Sequence, residues 1–598
     1  MHLAVETRSL QRLPVSQRVL SEKILFLPVF YNNLDPEHIP TLANLEYFPP
    51  DTRARVDCAA IALQALFSLM NLSARDWRDP DDLGPALWPR VWPWTFFMHE
   101  YRDYLGAASV FWEPMTYTRF LLFVSEIYGP HPIRGVISST PGFRVLMARA
   151  WTVLPGLEGE KWKSVSLVPY RHHYPVHFAE MVEGAGGTLD DLASLVLHHI
   201  DVVVHGNLSW EVGSPAPYMG NLAHLIQAGQ FGAQASAPLP HRERFIQTLR
   251  RRDFIPALVV GMYTVLARWR VSKSFLRDGF ESSFVATLEL LERFLDAPMG
   301  YRWLPAAIEA GLLTLMTGVA TEFPSTFDDR LRFLLTKLLP DGLLYYHVVM
   351  AIDNVLDDLT EIWSAEELEE LEIFDDWSFF RYLAERRVRL LDSMQSTGTC
   401  DNLECGKIQE RSRFRRCTGC KIYKYCNKEC QIADWKRGGH RKRCGVPTTL
   451  ILADTSSCTL GFRERQFMRA VVQDDFTENM RPIYQHQVMS IANDPAHRFY
   501  TLFDYTCNPV KIYVESVADS PTASGRDSEW MDILGRADHS HGRMHLHVVE
   551  VPEGSVSPQI HDAFHQLGRS TSAGYEEDEI GAEVGKILEN AVDLVETY

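Results

Sequence analysis

The sequence predicts a mainly α fold in three parts: a large helical region over residues 1–395, a small module over 400–444 and a small α+β domain over 446–598. Three observations carry this. Apolar residues recur at three- and four-residue spacing through most of the first part. Seven of the ten cysteines fall between Cys400 and Cys444. Beyond Cys444 the helical pattern gives way to short alternating runs rich in valine and aromatics. A chain of 598 residues also exceeds what a single core sustains.

In the first part the spacing predicts helices over Ala59–Leu72, Leu189–Val204, Phe254–Trp269, Phe284–Leu295, Ala306–Ala320 and Leu331–Leu339. Ile255-Pro-Ala and Leu304-Pro-Ala lie 49 residues apart, and each places proline in a first helical turn. That separation is near the period of paired-helix repeats, so the region is expected to be helical-repeat-like, in the irregular manner of ARM and HEAT stacks. Trp88-Pro-Arg-Val-Trp-Pro-Trp reads as a buried aromatic corner rather than a ligand box, with no plain helix until after Pro93. Gly184-Ala-Gly-Gly-Thr resembles part of a dinucleotide loop, but Thr188 with Asp191 reads better as a helix start. The ten acidic residues from Asp357 to Asp376 form a solvated helix face. A basic amphipathic helix (Phe379 to Leu391) leads to a hinge at Ser396-Thr-Gly.

In the third part, Gly461–Ile491 reads as one or two helices. His497–Thr506 and Val510–Val517 read as a hairpin around Cys507-Asn-Pro, and Arg543–Val551 as a third strand. Ser520–Gly535 is a polar loop and Glu576–Tyr598 an acidic terminal helix.

Net charge is −18, which argues against a general nucleic-acid or membrane-surface binder. Arg8, Arg12 and Arg18 interrupt the N-terminal stretch before any apolar core of a signal peptide forms. The apolar runs Cys58–Leu72, Phe254–Trp269 and Trp303–Ala320 suit buried helices better than membrane spans; the first is too short, and Glu309 interrupts the third. An intracellular protein of cytoplasm or nucleus is expected, neither secreted nor transmembrane.

The cysteines cluster with one histidine as Cys400, Cys405, Cys417, Cys420, Cys426, Cys430, His440 and Cys444. A disulfide framework would spread them out; dense clustering points to metal in a reducing compartment. Zinc prefers four sulfur or nitrogen donors, so eight make two full sites and leave no open catalytic position. Cys417-Thr-Gly-Cys420 is a knuckle in which glycine eases the turn. Cys426 with Cys430, and His440 with Cys444, are spaced to share a helical face. Residues 400–444 hold thirteen Lys/Arg against five Asp/Glu, a formal +8. That charge would stabilise the net negative charge of thiolate-bound zinc.

Tyr425-Cys-Asn-Lys-Glu-Cys-Gln-Ile-Ala-Asp-Trp435 followed by His440-Arg-Lys-Arg-Cys444 resembles a MYND-type zinc finger. The first pair is spaced by four residues where two is commoner, and Gly438-Gly439 lengthens the gap before His440. The resemblance implies interleaved ligation. Cys400, Cys405, Cys426 and Cys430 would share one zinc, and Cys417, Cys420, His440 and Cys444 the other. It further implies that Gln431 and Trp435 help hold short proline-containing peptides. The Cys-x-Asn-x-x-Cys first pair and Gly-Gly-His also resemble multi-domain MYND proteins of filamentous and mushroom-forming fungi, which implies no particular activity.

The expected function is that of an adaptor, its finger gripping a protein partner. The alternative uses Arg411–Arg416 and Arg441–Arg443 on nucleic acid. A SET-like lysine methyltransferase is the less favoured alternative: Asp504-Tyr-Thr-Cys-Asn-Pro509 lacks the Asn-His pair that such enzymes use, and no other catalytic motif stands out, which leaves an enzyme open only for residues 1–395. Two histidine groups, His198/Asp201/His205 and His539/His541/His545/His547, read as ordinary surface or core histidines.

Overall fold

The computed structural model describes residues 27–71, 83–127, 133–153, 178–205, 240–272, 277–296, 300–323, 326–362, 369–393, 462–493, 498–517, 544–551 and 559–566. It also describes most of 397–444 and a few positions within 219–226 and at 534–535. The N-terminal stretch, most of the Ser520–Gly535 loop, the Glu576–Tyr598 segment, Ser396, His539, His541 and the middle of the acidic run lie outside these residues. Among the described residues 76% are helical, with a few small sheets. The chain divides into two compact units, 1–291 and 292–598.

The first unit is built from α1 (Pro50–Asn71), α2 (Leu83–Glu100), α3 (Met115–Ile127), α4 (Phe143–Val153), α5 (Phe178–Ala185), α6 (Leu189–His205) and α7 (Phe254–Ser272), with further helices between. Helix α1 buries Phe67 against Phe120 and Phe123 of α3 at ring distances of 5.8 and 5.2 Å. Helix α5 approaches α4 so closely that a Cβ on Gly184 would lie 2.3 Å from the Val145 carbonyl oxygen. Thr188 and Asp191 exchange backbone N–H to side-chain bonds, both 3.1 Å, at the start of α6. The Gly-Gly-Thr segment is therefore a capping box.

Helix α2 departs from the sequence expectation. It runs unbroken through Pro89 and Pro93. The two prolines are four residues apart, so both missing N–H groups fall on one stripe of the helix. Each interior proline costs about 3 kcal/mol. Trp88, Val91, Trp94 and Phe97 are buried on this helix, each returning roughly 1.5–3 kcal/mol. Trp88 stacks on Trp92 at 5.4 Å, and Trp94 Nε1 donates to the Asp35 carbonyl at 3.0 Å. The segment is an aromatic packing corner.

In the second unit the apolar run 306–320 is divided. Leu304–Glu309 and Leu312–Glu322 are separate helices, because Gly311 takes φ +98 between them. Residues 331–339 likewise fall into an α turn, a π-helical segment (Leu334–Leu338) and a second α turn. Pro256 and Pro305 both sit in first turns, as their sequence context predicts.

Helices α8 (Tyr346–Ile362) and α9 (Phe374–Ser393) precede the cysteine module. The expected hinge at Thr397-Gly398 is instead a strand, β1 (Thr397–Thr399), paired antiparallel with β2 (Ile408–Glu410). The pairing closes the loop that carries the first two cysteines. The module continues with β3 (Arg415–Arg416), β4 (Lys424–Tyr425), α10 (Lys428–Lys436) and α11 (His440–Arg443).

After the module come α12 (Phe462–Glu478), α13 (Met480–Asn493), β5 (Phe499–Asp504), β6 (Lys511–Ser516), β7 (Met544–Val551) and β8 (Gln559–Gln566). The sheet order is β6-β5-β7-β8; β5 and β7 run parallel and the outer pairs antiparallel. The hairpin and third strand match the sequence reading, whereas the parallel register and β8 are additions.

Helix α12 returns to the helices before the module. Glu464 accepts from the backbone N–H groups of Tyr346 and His347 at the start of α8, at 2.6 and 3.3 Å. Arg386 and Arg387 of α9 pair with Asp474 and Asp475, and the Tyr505 hydroxyl donates to Asp475 at 2.7 Å. Asp504 to Pro509, weighed for cofactor chemistry, is the β5–β6 turn, and Tyr505 is committed to this network.

Candidate metal centre

Each segment of the module positions one pair of ligands. The β1–β2 ladder holds the first loop, where Cys400 N–H donates to the Lys407 carbonyl at 3.0 Å and Cys405 N–H to that of Asn402 at 2.9 Å. The β3–β4 pairing holds the knuckle, with Cys417 N–H donating to the Tyr423 carbonyl at 2.8 Å. Gly419 is needed there, since a Cβ would lie 2.9 Å from Cys444 Sγ. Asn427 caps α10, accepting from Cys430 N–H at 2.8 Å. This cap turns Cys426, just outside the helix, toward Cys430. Gly439 at φ +83 turns the chain into α11, which presents His440 and Cys444.

These pairs close into two groups: Cys400, Cys405, Cys426 and Cys430, and Cys417, Cys420, His440 and Cys444. Within each group the ligand atoms lie within 4.8 Å of one another. Cys405 Sγ and Cys430 Sγ each lie 3.5 Å from Cys426 Sγ. In the second group Cys417 Sγ is 3.7 Å from Cys444 Sγ, and Cys420 Sγ 3.7 Å from His440 Nε2. Four sulfurs around zinc at about 2.3 Å stand roughly 3.8 Å apart, so both groups fit a tetrahedral ion. The donor sets, four sulfurs and three sulfurs with one nitrogen, are those zinc favours in closed structural sites. The interleaved grouping implied by the resemblance is the one the geometry brings together.

The thiols do not share charge evenly. Burial pushes the Cys400 thiol well up, and burial with the neighbouring thiols raises Cys426 to about 11. Burial opposes ionisation of Cys405 and Cys417, but backbone N–H donors and adjacent thiols outweigh it and lower both. Closing four donors on zinc must expel protons. Zinc affinity is accordingly expected to rise roughly tenfold or more per pH unit between about pH 5 and 8. Proton release on zinc addition in weak buffer checks this; a pH-independent affinity would contradict it.

Around the second group, Tyr425, Asp434 and His440 are each 1% exposed. The Tyr425 hydroxyl donates to Asp434 Oδ2 at 2.6 Å and also meets His440 Nδ1. Burial, reinforced by Asp434, pushes the Tyr425 pKa far up and keeps the hydroxyl protonated. Sequence reasoning missed this triad, although Tyr425 and Asp434 both lie in the quoted motif.

Gln431 is half-buried and Trp435 39% exposed on α10, with the Trp435 ring 5.5 Å from that of His440. Ile432, also missed, is 44% exposed on the same helix. Arg415, Arg416 and Arg441 are exposed, while Arg413 and Arg437 pair with Glu410 and Glu404. Among the described residues, no metal-ligating group forms at the other histidines. His198 is exposed, and His205 Nε2 lies 3.5 Å from Asp201 on an exposed face. His547 is buried between Phe476 and Phe503, and His545 lies on β7. Among the described residues, no helix is long and apolar enough to cross a membrane.

Comparison with known proteins agrees with the geometry. Residues 400–444 match the family described as MYND finger. The MYND-type zinc finger protein samB of Emericella nidulans is 45% identical over 49 residues, which cover 8% of this chain and 8% of that protein. The likeness thus spans only a short segment of each protein. No solved structure matches the chain. With eight donors grouped four and four in the matched segment, this chain is a MYND zinc finger domain-containing protein whose finger can bind two zinc ions.

Proposed function

We propose that the protein is an adaptor whose finger grips a proline-containing segment of a protein partner through Gln431 and Trp435. MYND fingers are protein-interaction modules. The single observation that carries the finer reading is the outer face of α10. Gln431, Ile432 and Trp435 share it at helical spacing, and the two apolar residues remain substantially exposed on a rigid, metal-held element. Exposed Lys428 and Lys436 flank the stripe, so the favoured segment carries acidic residues beside its proline.

In this reading residues 1–395 form the scaffold, 400–444 the gripping finger and 446–598 an α+β domain, in a reducing compartment of cytoplasm or nucleus. The test is capture of proline-containing peptides by the zinc-loaded full chain. Trp435→Ala should weaken the best peptide about 30-fold or more while both zincs stay bound. Unchanged capture by Trp435→Ala would overturn the peptide site. The exposed Arg415, Arg416 and Arg441 favour a second reading on nucleic acid. It requires binding that falls steeply with salt, and DNA and RNA at low salt in the same assay separate the two.

A further inference from the structure

We propose that Asp434, acting through the Tyr425 hydroxyl, fixes His440 in the tautomer and orientation that offer Nε2 to the second zinc. The argument turns on counting protons. A tyrosine hydroxyl has one proton to donate, and an ionised carboxylate only accepts. With its proton given to Asp434 Oδ2 at 2.6 Å, Tyr425 can meet His440 Nδ1 only as an acceptor. Nδ1 therefore carries the ring proton. Nε2, 3.7 Å from Cys420 Sγ, keeps its lone pair for the metal. His440 Nδ1 also lies 3.6 Å from Asp434 Oδ2, so the carboxylate favours electron density on the ring directly as well.

Two further observations point the same way. Asp434 lies in the last turn of α10, where a carboxylate opposes the helix dipole, and it is buried at 1% exposure. Helix stability alone gives no reason for it. Gly438 makes room for it, since a Cβ there would lie 1.8 Å from Asp434 Oδ1. The inserted glycine pair thus serves two ends: Gly439 supplies the left-handed turn and Gly438 the space for the carboxylate. The first group has no histidine and provides an internal control. The proposal rests on zinc binding and is independent of the peptide reading.

The test is zinc release from the full-length, zinc-loaded chain against a competing chelator, read with a colorimetric indicator. In Tyr425→Phe, one of the two zincs should leave at roughly 10–100-fold lower chelator activity and the other at the wild-type midpoint. Cadmium NMR on the cadmium-substituted chain should show the resonance of the three-sulfur, one-nitrogen site displaced and that of the four-sulfur site unmoved. Asp434→Asn, whose amide oxygen still accepts from Tyr425, should fall between wild type and Tyr425→Phe. Gly438→Ala should behave like Tyr425→Phe. Wild-type midpoints for both zincs in Tyr425→Phe and Asp434→Asn would overturn the proposal. So would equal weakening of both zincs, which would mark a merely structural role. Should Tyr425→Phe fail to fold, Asp434→Asn decides on the same readings.

Discussion

Removing both zincs with a chelator is expected to unfold residues 400–444 and leave the helices outside the finger in place. The reason is the composition of the finger's core. Its buried apolar residues are Cys400, Phe414, Cys417, Tyr423 and Tyr425, with the other five cysteines packed around them. Ligands make up most of that core, and three aromatics cannot offset the conformational entropy of some 45 residues at about 1–2 kcal/mol each. Binding of structural zinc supplies about 10–16 kcal/mol per site in peptides, and here it is the folding energy. The finger's helices span only nine and four residues, so far-UV circular dichroism should change little. Its thirteen lysines and arginines should instead become trypsin-sensitive first. A finger that stays protease-resistant without metal would contradict the account.

The second large effect is expected at Arg387. Its side chain is 4% exposed, and Nη2 lies 2.7 Å from Asp475 Oδ2, itself 2% exposed. Arg387→Met leaves Asp475 with only Arg386 Nη2 at 3.0 Å and the Tyr505 hydroxyl. Breaking one side of a buried pair costs about 3–5 kcal/mol, and the retained Arg386 contact places this case near the lower figure. The unit holding residues 292–598 should lose about 3 kcal/mol in urea unfolding, with no loss of zinc from the finger. Arg387→Met combined with Asp475→Leu should recover much of it, because no buried charge is then left uncompensated. A single variant as stable as wild type would show that the network contributes nothing.

These two regions differ in how far sequence reveals them. The finger was legible almost completely. Its eight ligands and their zinc chemistry depend on local spacing and donor type, which a linear reading sees directly, whereas their grouping followed only from the family resemblance. Helices with clear periodicity, such as α6 and α7, were legible for the same reason. Helix α2 was not. Proline's local penalty is readable, but the burial of Trp88, Trp94 and Phe97 that outweighs it is tertiary. Gly311 inside an apolar run gave a weak hint of the break between 309 and 312, yet a positive φ cannot be inferred from glycine alone. The Arg387–Asp475 pair joins residues 88 apart, and β5 pairs parallel to β7 across a long connection. Neither leaves a mark on local pattern. The Tyr425–Asp434–His440 triad stood inside the recognised motif, but only the fold shows that its members touch.

The central claim is that eight donors close around two ions, and metal quantification of the purified full chain measures it most directly. Wild type should carry two zinc per chain, with Cys400→Ser and Cys420→Ser each losing at least the zinc of its own group. A wild-type ratio of one or none, or variants that still hold two, would contradict it.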